Sequence, residues 1–100
     1  MRVRFTPSAD RQYLSALRYL VERSPAGAAV VQQRVEDVVD QLGRFPDSGH
    51  VIAEFPHLPH RELPAVPYRV FHRVAGDTVW IVNVWHSSQV PEPPDDLVRG

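Results

Sequence analysis

The chain contains no cysteine and no lysine, and no run of 18 apolar residues occurs anywhere in it. Without cysteine it has neither disulfides nor thiolate metal sites, which fits a reducing compartment. The missing apolar run excludes a spanning helix, and the polar start Met1-Arg2-Val3-Arg4 does not have the form of a secretory signal. We therefore expect a cytoplasmic protein that does not enter the membrane.

A clear excess of positive charge is also missing. Eleven basic residues, all of them arginine, stand against 12 acidic ones, which gives a formal net charge of −1. Proteins that bind nucleic acid mainly by neutralising phosphates usually carry a basic excess. The composition therefore argues against such binding by the chain as a whole and leaves a local arginine patch open.

One hundred residues are enough for one modest hydrophobic core. We assign residues 1–87 to this domain and residues 88–100 to a Pro-rich acidic tail. The segment SSQVPEPPDDLVRG has no periodicity, so we expect it to be extended or disordered when alone.

The first half of the sequence predicts a strand followed by two helices. Apolar and polar residues alternate over Arg2–Thr6, which is typical of a short strand. Thr6-Pro7 and Ser24-Pro25 are both helix-start signals, with a capping hydroxyl followed by proline at the first helical position. We expect the first helix to end near Arg23 and the second at Gly43 as a C-cap. The short connection predicts an antiparallel helical hairpin.

Each helix shows one apolar stripe at helical spacing. The first stripe comprises Ala9, Tyr13, Ala16, Leu17, Leu20 and Val21, and the second Ala28, Val31, Val35, Val38, Val39 and Leu42. We expect both stripes to face the core.

A Pro-rich stretch over residues 44–60 predicts a loop, in which Val51-Ile52 either pairs briefly or fills a gap in the core. Residues 61–86 then read as three antiparallel strands, with a two-residue hairpin turn at Gly76-Asp77. The fold class is therefore α+β, in the order β-α-α-β-β-β, with the helical hairpin packed on a mainly antiparallel sheet.

The turn sets a register in which Phe71 faces Val82 and Arg69 faces Val84. In that register one sheet face is apolar and the other mixes arginines with aromatic residues, and Arg69 and His86 project from the same side. We expect a partner to bind this second face. The candidate partner-binding residues are Arg61, Arg69, Phe71, Arg73, Trp80 and His86.

Arg69 and His86 are the residues of this set with the clearest chemistry. A guanidinium binds phosphate or carboxylate through two parallel hydrogen bonds, so Arg69 suits an anionic partner. The alternative for Arg69 is an ion pair with Glu62 or Glu54, or stacking on a tryptophan. His86 can transfer protons near neutral pH, or it can cap a backbone carbonyl at the end of its strand. For Arg73, the position opposite Trp80 predicts a cation–π contact.

His57 and His60, with His50 nearby, are the histidines whose clustering suggests a metal site. His57 and His60 are separated by Leu58-Pro59, and the proline excludes the helix that would bring both rings to one side. We predict no metal and no cofactor.

The chain resembles the RelE/ParE superfamily of bacterial type II toxin–antitoxin toxins, and the ParE branch fits best. The resemblance covers about residues 3 to 87. It rests on Phe5-Thr6-Pro7 with Ala9, Leu42…Phe45-Pro46…Gly49, Arg61-Glu62-Leu63, Tyr68-Arg69-Val70 and Val84-Trp85-His86.

The resemblance implies a small α+β toxin neutralised by a cognate antitoxin, in a hetero-oligomer. ParE-like members poison DNA gyrase, whereas RelE-like members cut mRNA on the ribosome. In the second case Arg61, Arg69 and His86 would form the active site. His86 is followed by Ser87-Ser88-Gln89 instead of further basic residues, and no tyrosine follows Tyr68. This departure favours the gyrase poison, and it also motivates a third reading, a module that only binds its antitoxin.

Overall fold

A computed structural model describes residues 1–94 of the chain. The elements are β1 (Arg2–Phe5), α1 (Pro7–Arg23), α2 (Pro25–Arg44), β2 (His50–Val51), β3 (Arg61–Ala65), β4 (Tyr68–Ala75) and β5 (Thr78–His86). The five strands form one sheet in the order β1-β5-β4-β3-β2, in which β1 runs parallel to β5 and the other pairs are antiparallel. The predicted α+β class and element order are confirmed, with β2 as an additional short strand.

Both helices begin as the sequence predicts. The Thr6 hydroxyl accepts a hydrogen bond from the Ala9 N–H at 3.2 Å, and the Ser24 hydroxyl accepts one from the Gly27 N–H at 3.0 Å. These bonds satisfy N–H groups that the first helical turn leaves without partners. Because Ser24 is also the residue that ends α1, the hairpin connection is a single residue.

The predicted C-cap at Gly43 is wrong. Helix α2 continues to Arg44, and Phe45 caps it by donating its N–H to the Gln41 carbonyl at 2.7 Å. Gly43 keeps a negative φ, so its freedom to adopt a left-handed backbone is not used here. Its carbonyl instead accepts a hydrogen bond from the Met1 ammonium at 2.7 Å.

The main core lies between the helical hairpin and the sheet. Five residues of the predicted stripe of α2 are buried, namely Ala28, Val31, Val35, Val38 and Leu42. In α1 only Ala9 is fully buried, and Val21, which we predicted to face the core, is 54% exposed. Helix α1 therefore covers the sheet with one edge of its apolar stripe and leaves the rest at the surface.

A second, smaller core lies on the opposite face of the sheet. Ile52 from the loop packs there against Phe71 and Val82, with Phe55, Trp80 and Trp85 around them. Ile52 and Phe71 are fully buried, and burial of each such side chain contributes about 1.5–3 kcal/mol. Both predicted roles of Val51-Ile52 are therefore confirmed, since Val51 pairs with Arg61 while Ile52 fills this core.

The register of the β4–β5 hairpin follows the prediction from the Gly76-Asp77 turn as far as the pair His72–Ile81. There β5 contains one extra residue, so that Phe71 faces Asn83 and not Val82, and Arg69 faces Trp85 and not Val84. This bulge begins directly after Ile81, the last residue that pairs with β1. Beyond it Val84 packs into the helix-side core and Trp85 against the core on the other face, each opposite to the face that we predicted.

The end of β5 leads into the tail that we expected to be extended or disordered. The Ser87 N–H donates to the Pro67 carbonyl and the Gln89 N–H to the His86 carbonyl, both at 2.9 Å. Pro91 is buried. Residues 95–100, which complete the predicted tail, lie outside the described part. None of the helices in residues 1–94 is both long and apolar enough to span a membrane.

Candidate functional site

Arg69 is the centre of the most highly connected polar group on the sheet. It lies on β4 between the edges of β3 and the loop that follows β2. Its Nε and Nη2 bond the two carboxylate oxygens of Glu62 at 2.9 and 2.8 Å, while Nη1 and Nη2 bond those of Glu54 at 2.8 and 2.7 Å. Four of the five guanidinium N–H donors are therefore used by carboxylates of the same chain. The ion-pair alternative that the sequence left open is confirmed with both glutamates.

The electrostatics of this group follow from the two close carboxylates. Hydrogen bonds from Arg69 lower the pKa of Glu54 to about 2, and the hydrogen bonds to Glu62 and Glu54 raise the pKa of Arg69 above its ordinary range. One positive charge between two negative ones leaves a local net charge of −1. The guanidinium carbon also lies 5.2 Å from the ring centroid of Phe71, so that ring is covered.

His86 lies on the other side of the sheet from Arg69, because β5 is shifted by the bulge. It pairs with Tyr68, which belongs to the helix-side core, and its ring meets the Tyr68 ring edge-on with 5.3 Å between centroids. Arg69 instead pairs with Trp85, which packs against the second core. The prediction that Arg69 and His86 share a face is therefore wrong.

The ring of His86 is held within its own turn. Its Nδ1 accepts a hydrogen bond from the Ser88 N–H at 3.0 Å and lies 2.7 Å from the Ser88 hydroxyl oxygen. The His86 N–H donates to the Gln89 side chain at 2.7 Å. These contacts fix the ring at the end of the strand, but within residues 1–94 they do not include the backbone carbonyl that the sequence analysis considered as its partner.

The remaining candidates are spread over different parts of the sheet. Arg61 is exposed on β3 and donates to the Gly49 carbonyl at 3.2 Å. Phe71 is fully buried, so it is not part of a free surface in this chain. Arg73 and Trp80 are paired and half-buried, but no cation–π contact joins them among residues 1–94. The predicted contact between them is therefore wrong.

His72 is a buried titratable residue of β4 that is not among the candidate site residues from the sequence. It is 1% exposed, and its Nε2 has no hydrogen-bond partner in the described part of the chain. Burial lowers its pKa to about 4, with smaller contributions from the charges of Arg61 and His60. No group of three histidine or carboxylate side chains within residues 1–94 is arranged to hold a metal ion.

The backbone around Gly49 connects the loop to these groups. Gly49 has a φ of +96°, and a Cβ atom at this position would lie 2.4 Å from the Glu62 carbonyl oxygen and 3.1 Å from Nε2 of His72. Only glycine permits this approach without strain. The glycine that carried part of the family resemblance thus packs directly against the strand that supplies Glu62.

Comparison with known proteins places this geometry in a family. Among solved structures, the fold is similar to a chain described as the chromosomal ParDE TA system from P. aeruginosa, with a TM-score of 0.70 and 19% identity over 86% of this chain and 95% of that one. It is also similar to a YoeB/ParE toxin from Agrobacterium tumefaciens, with a TM-score of 0.60 and 14% identity over 86% of this chain and 98% of that one. No curated protein sequence matches the chain significantly.

The match to a family model is more specific than these structural similarities. The model describes the ParE toxin of the type II toxin-antitoxin system parDE, and it matches residues 3–91. This range contains both helices, every candidate site residue and all the strands except the first residue of β1. The chain therefore belongs to the ParE toxin family of type II toxin–antitoxin systems.

Proposed function

We propose that this ParE-family toxin inhibits bacterial growth by poisoning DNA gyrase and that a cognate antitoxin neutralises it in a hetero-oligomer. The observation that carries the proposal is the state of Arg69, whose guanidinium is held by Glu54 and Glu62 and does not face His86. This arrangement favours a toxin that acts by binding over one that cleaves RNA.

An mRNA interferase would need Arg69 to contact a phosphate and a proton-transferring group within hydrogen-bond reach of the same phosphodiester. The two carboxylates around Arg69 repel a phosphate at short range, and one of them would have to leave first. His86 lies on the opposite face of the sheet, where its ring contacts that of Tyr68. Arg61 donates to a backbone carbonyl near the Gly49 turn. These placements do not bring the three residues of the nuclease hypothesis around one substrate.

The surface of the helical hairpin supports an antitoxin as partner. Leu14 and Val21 on α1 are 48% and 54% exposed, and Val30 on α2 is 48% exposed. Leu14, half-buried Leu17 and Val21 follow one another at helical spacing, so they form a continuous apolar strip. Such a strip in a protein of this size marks an interaction surface.

The decisive experiment compares the two targets with one preparation of the toxin. Purified protein is added to gyrase supercoiling assays and, in parallel, to ribosomes translating a defined mRNA, with relaxation by topoisomerase I as the specificity control. We expect gyrase inhibition with accumulation of cleaved DNA, intact mRNA and unaffected topoisomerase I. Codon-positioned mRNA cleavage that disappears in a His86→Asn variant would overturn the proposal.

The second candidate function is a toxin-fold module that binds its antitoxin and takes part only in autoregulation. The absence of arginine in His86-Ser87-Ser88-Gln89 favours it. Induced expression of the chain alone distinguishes it from the first proposal. Unchanged bacterial growth, together with retained antitoxin binding, would favour this second function.

A further inference from the structure

A small polar cavity lies at the edge of the sheet where β4 extends past β3. Strand β3 begins at Arg61, which pairs with His72, so the last three residues of β4 have no strand beside them on the β3 side among residues 1–94. The loop after α2 passes this step with Pro46, Asp47 and Pro59 and leaves a cavity of about 90 Å³. Because the cavity lies at the edge of β4, residues from both faces of the sheet line it.

The charged side chains around this cavity leave most of their bonding capacity unused. Arg61, Arg73 and Asp47 all line it. Arg73 and Asp47 have no ion pair or side-chain hydrogen bond within residues 1–94, and Arg61 uses one of its five N–H donors for the Gly49 carbonyl. His72 is uncharged near neutral pH, because burial lowers its pKa to about 4. The lining therefore carries two positive charges and one negative charge, which favours an anion.

His72 is the only buried residue of this lining, at 1% exposure. Its Nε2 has no hydrogen-bond partner in the described part of the chain. Buried polar atoms are almost always hydrogen-bonded, and a neutral imidazole offers one N–H donor and one acceptor. An unpaired ring nitrogen in the wall of a polar cavity therefore indicates a bound group that the chain itself does not supply.

We propose that this cavity binds a phosphate group that keeps a proton. Arg61 and Arg73 donate hydrogen bonds to its oxygens, which is the pairing that guanidinium groups suit best. Asp47 accepts a hydrogen bond from the remaining O–H of the phosphate, whereas its carboxylate would only repel an anion that has no proton to donate. The assignment does not depend on gyrase being the toxin's target.

The size of the cavity limits the ligand as well. Its volume of about 90 Å³ is smaller than the roughly 150 Å³ of a cavity that holds a benzene ring. It therefore suits a single phosphate group and does not admit a nucleobase. Inorganic phosphate and the terminal phosphate of an organic molecule share the required O–H, while sulfate and the phosphodiesters of intact nucleic acid lack it near neutral pH.

The test follows the backbone amide shifts of the ¹⁵N-labelled full chain at pH 6 and constant ionic strength while one anion is added. The probes are inorganic phosphate, sulfate, methyl phosphate and dimethyl phosphate. We expect phosphate to shift the amides of Asp47, Arg61 and Arg73 and to bind at least about fivefold more tightly than sulfate. Charge alone would give the opposite order, because sulfate carries the larger negative charge at this pH.

Substitutions separate the roles of the lining residues. Arg61→Gln/Arg73→Gln should bind phosphate at least about tenfold more weakly, whereas the matched control Arg11→Gln/Arg18→Gln, which removes the same charge from α1, should change the affinity less than about twofold. Arg73→Gln alone removes no ion pair or side-chain hydrogen bond of residues 1–94 and should weaken binding at least about threefold, even if the double variant fails to fold.

Asp47→Asn tests the selection for a protonated anion, and it should reduce the preference for phosphate over sulfate to less than about twofold. Methyl phosphate distinguishes the two sources of the group, because about half of it keeps a proton at pH 6. Binding as tight as that of inorganic phosphate would assign the cavity to the terminal phosphate of an organic molecule, and weaker binding would assign it to free phosphate.

Three results would overturn the proposal. The first is phosphate binding no tighter than that of sulfate or dimethyl phosphate, which would leave an unselective basic surface. The second is the absence of amide shifts around the cavity with every probe, which would leave the arginines solvated. The third is an Asp47→Asn variant that keeps the full preference for phosphate.

Discussion

At Gly49 the chain turns from α2 back to the sheet through a conformation that only glycine adopts easily. Its φ is +96°, and the Glu62 backbone lies where a Cβ would be. The neighbouring groups are a strand carbonyl and the ring of buried His72, neither of which is the free end of a flexible side chain. Relief of the contact would therefore have to move β3 or the loop.

We predict that Gly49→Ala lowers the free energy of unfolding by about 2–4 kcal/mol, because backbone strain and a main-chain clash add together. Gly76→Ala is the matched control. Gly76 also has a positive φ, of 63°, but no atom lies within 4 Å of the added methyl group, so only the backbone term of about 1 kcal/mol remains. Urea unfolding of both variants measures the difference, and equal losses would contradict the packing argument.

The role of Arg69 could not be decided from residue types alone. Its position among aromatic and acidic residues was compatible with a phosphate site and with a structural ion pair, because Glu62 and Glu54 lie 7 and 15 positions away in sequence. Only the pairing of β3 with β4 and the path of the loop bring both carboxylates to it. His72 is similar, since the alternation of β4 predicts its burial but not the loss of a partner for Nε2.

At the scale of elements, signals from neighbouring residues predicted the helix starts and the hairpin turn better than the long-range pairing of strands could be predicted. The Thr6-Pro7 and Ser24-Pro25 starts and the Gly76-Asp77 turn depend on neighbouring residues, and all three were predicted correctly. The bulge in β5 was not predicted. It lies where the pairing with β1 ends and where a side chain of α1, instead of a neighbouring strand, bonds the backbone of β5. No signal within 61–86 marks that position. Because this one extra residue was not detected, the predicted faces of Trp85 and His86 were wrong.

The side chain that replaces the strand is Gln12 of α1. Its Oε1 accepts hydrogen bonds from the Val84 N–H at 2.7 Å and from Nδ2 of Asn83 at 3.3 Å. We predict that Gln12→Ala lowers the free energy of unfolding by about 1–3 kcal/mol, because a main-chain donor and a side-chain donor at this part-buried site lose their acceptor. Gln32→Ala on the exposed face of α2 serves as control and should change it by less than about 0.5 kcal/mol.

Amide hydrogen exchange distinguishes this role from a general loss of helix stability. The Val84 amide should lose protection in Gln12→Ala beyond the change in global stability, whereas amides in the middle of α2 should follow the global change. Uniform loss of protection across the sheet and both helices would show that Gln12 does not cap β5 locally.

For the whole molecule, the buried His72 and the ion-paired Glu54 make stability depend on pH in two separate windows. The pKa of His72 is about 4 in the folded chain against an ordinary 6.5, so between these values the unfolded chain binds more protons. Stability therefore falls as the pH drops from about 7 to 4, by up to about 3 kcal/mol. The pKa of Glu54 is lowered from 4.5 to about 2, so its contribution is complete above pH 4.5 and is lost as the pH falls towards 2.

These windows predict an acid unfolding profile with two causes that substitutions can separate. In urea unfolding at a series of pH values, His72→Gln should remove most of the slope between pH 6.5 and 4.5, because its side chain does not titrate, whatever its effect on stability at pH 7. Glu54→Gln should leave the slope of stability between pH 6.5 and 4.5 unchanged and reduce the slope below pH 4.5. A loss of about 3 kcal/mol is a large share of the 5–15 kcal/mol typical of such domains, so the wild-type chain should unfold in acid at moderate urea concentrations. An unchanged slope above pH 4.5 in His72→Gln would mean that His72 is protonated, or solvated, in the folded toxin.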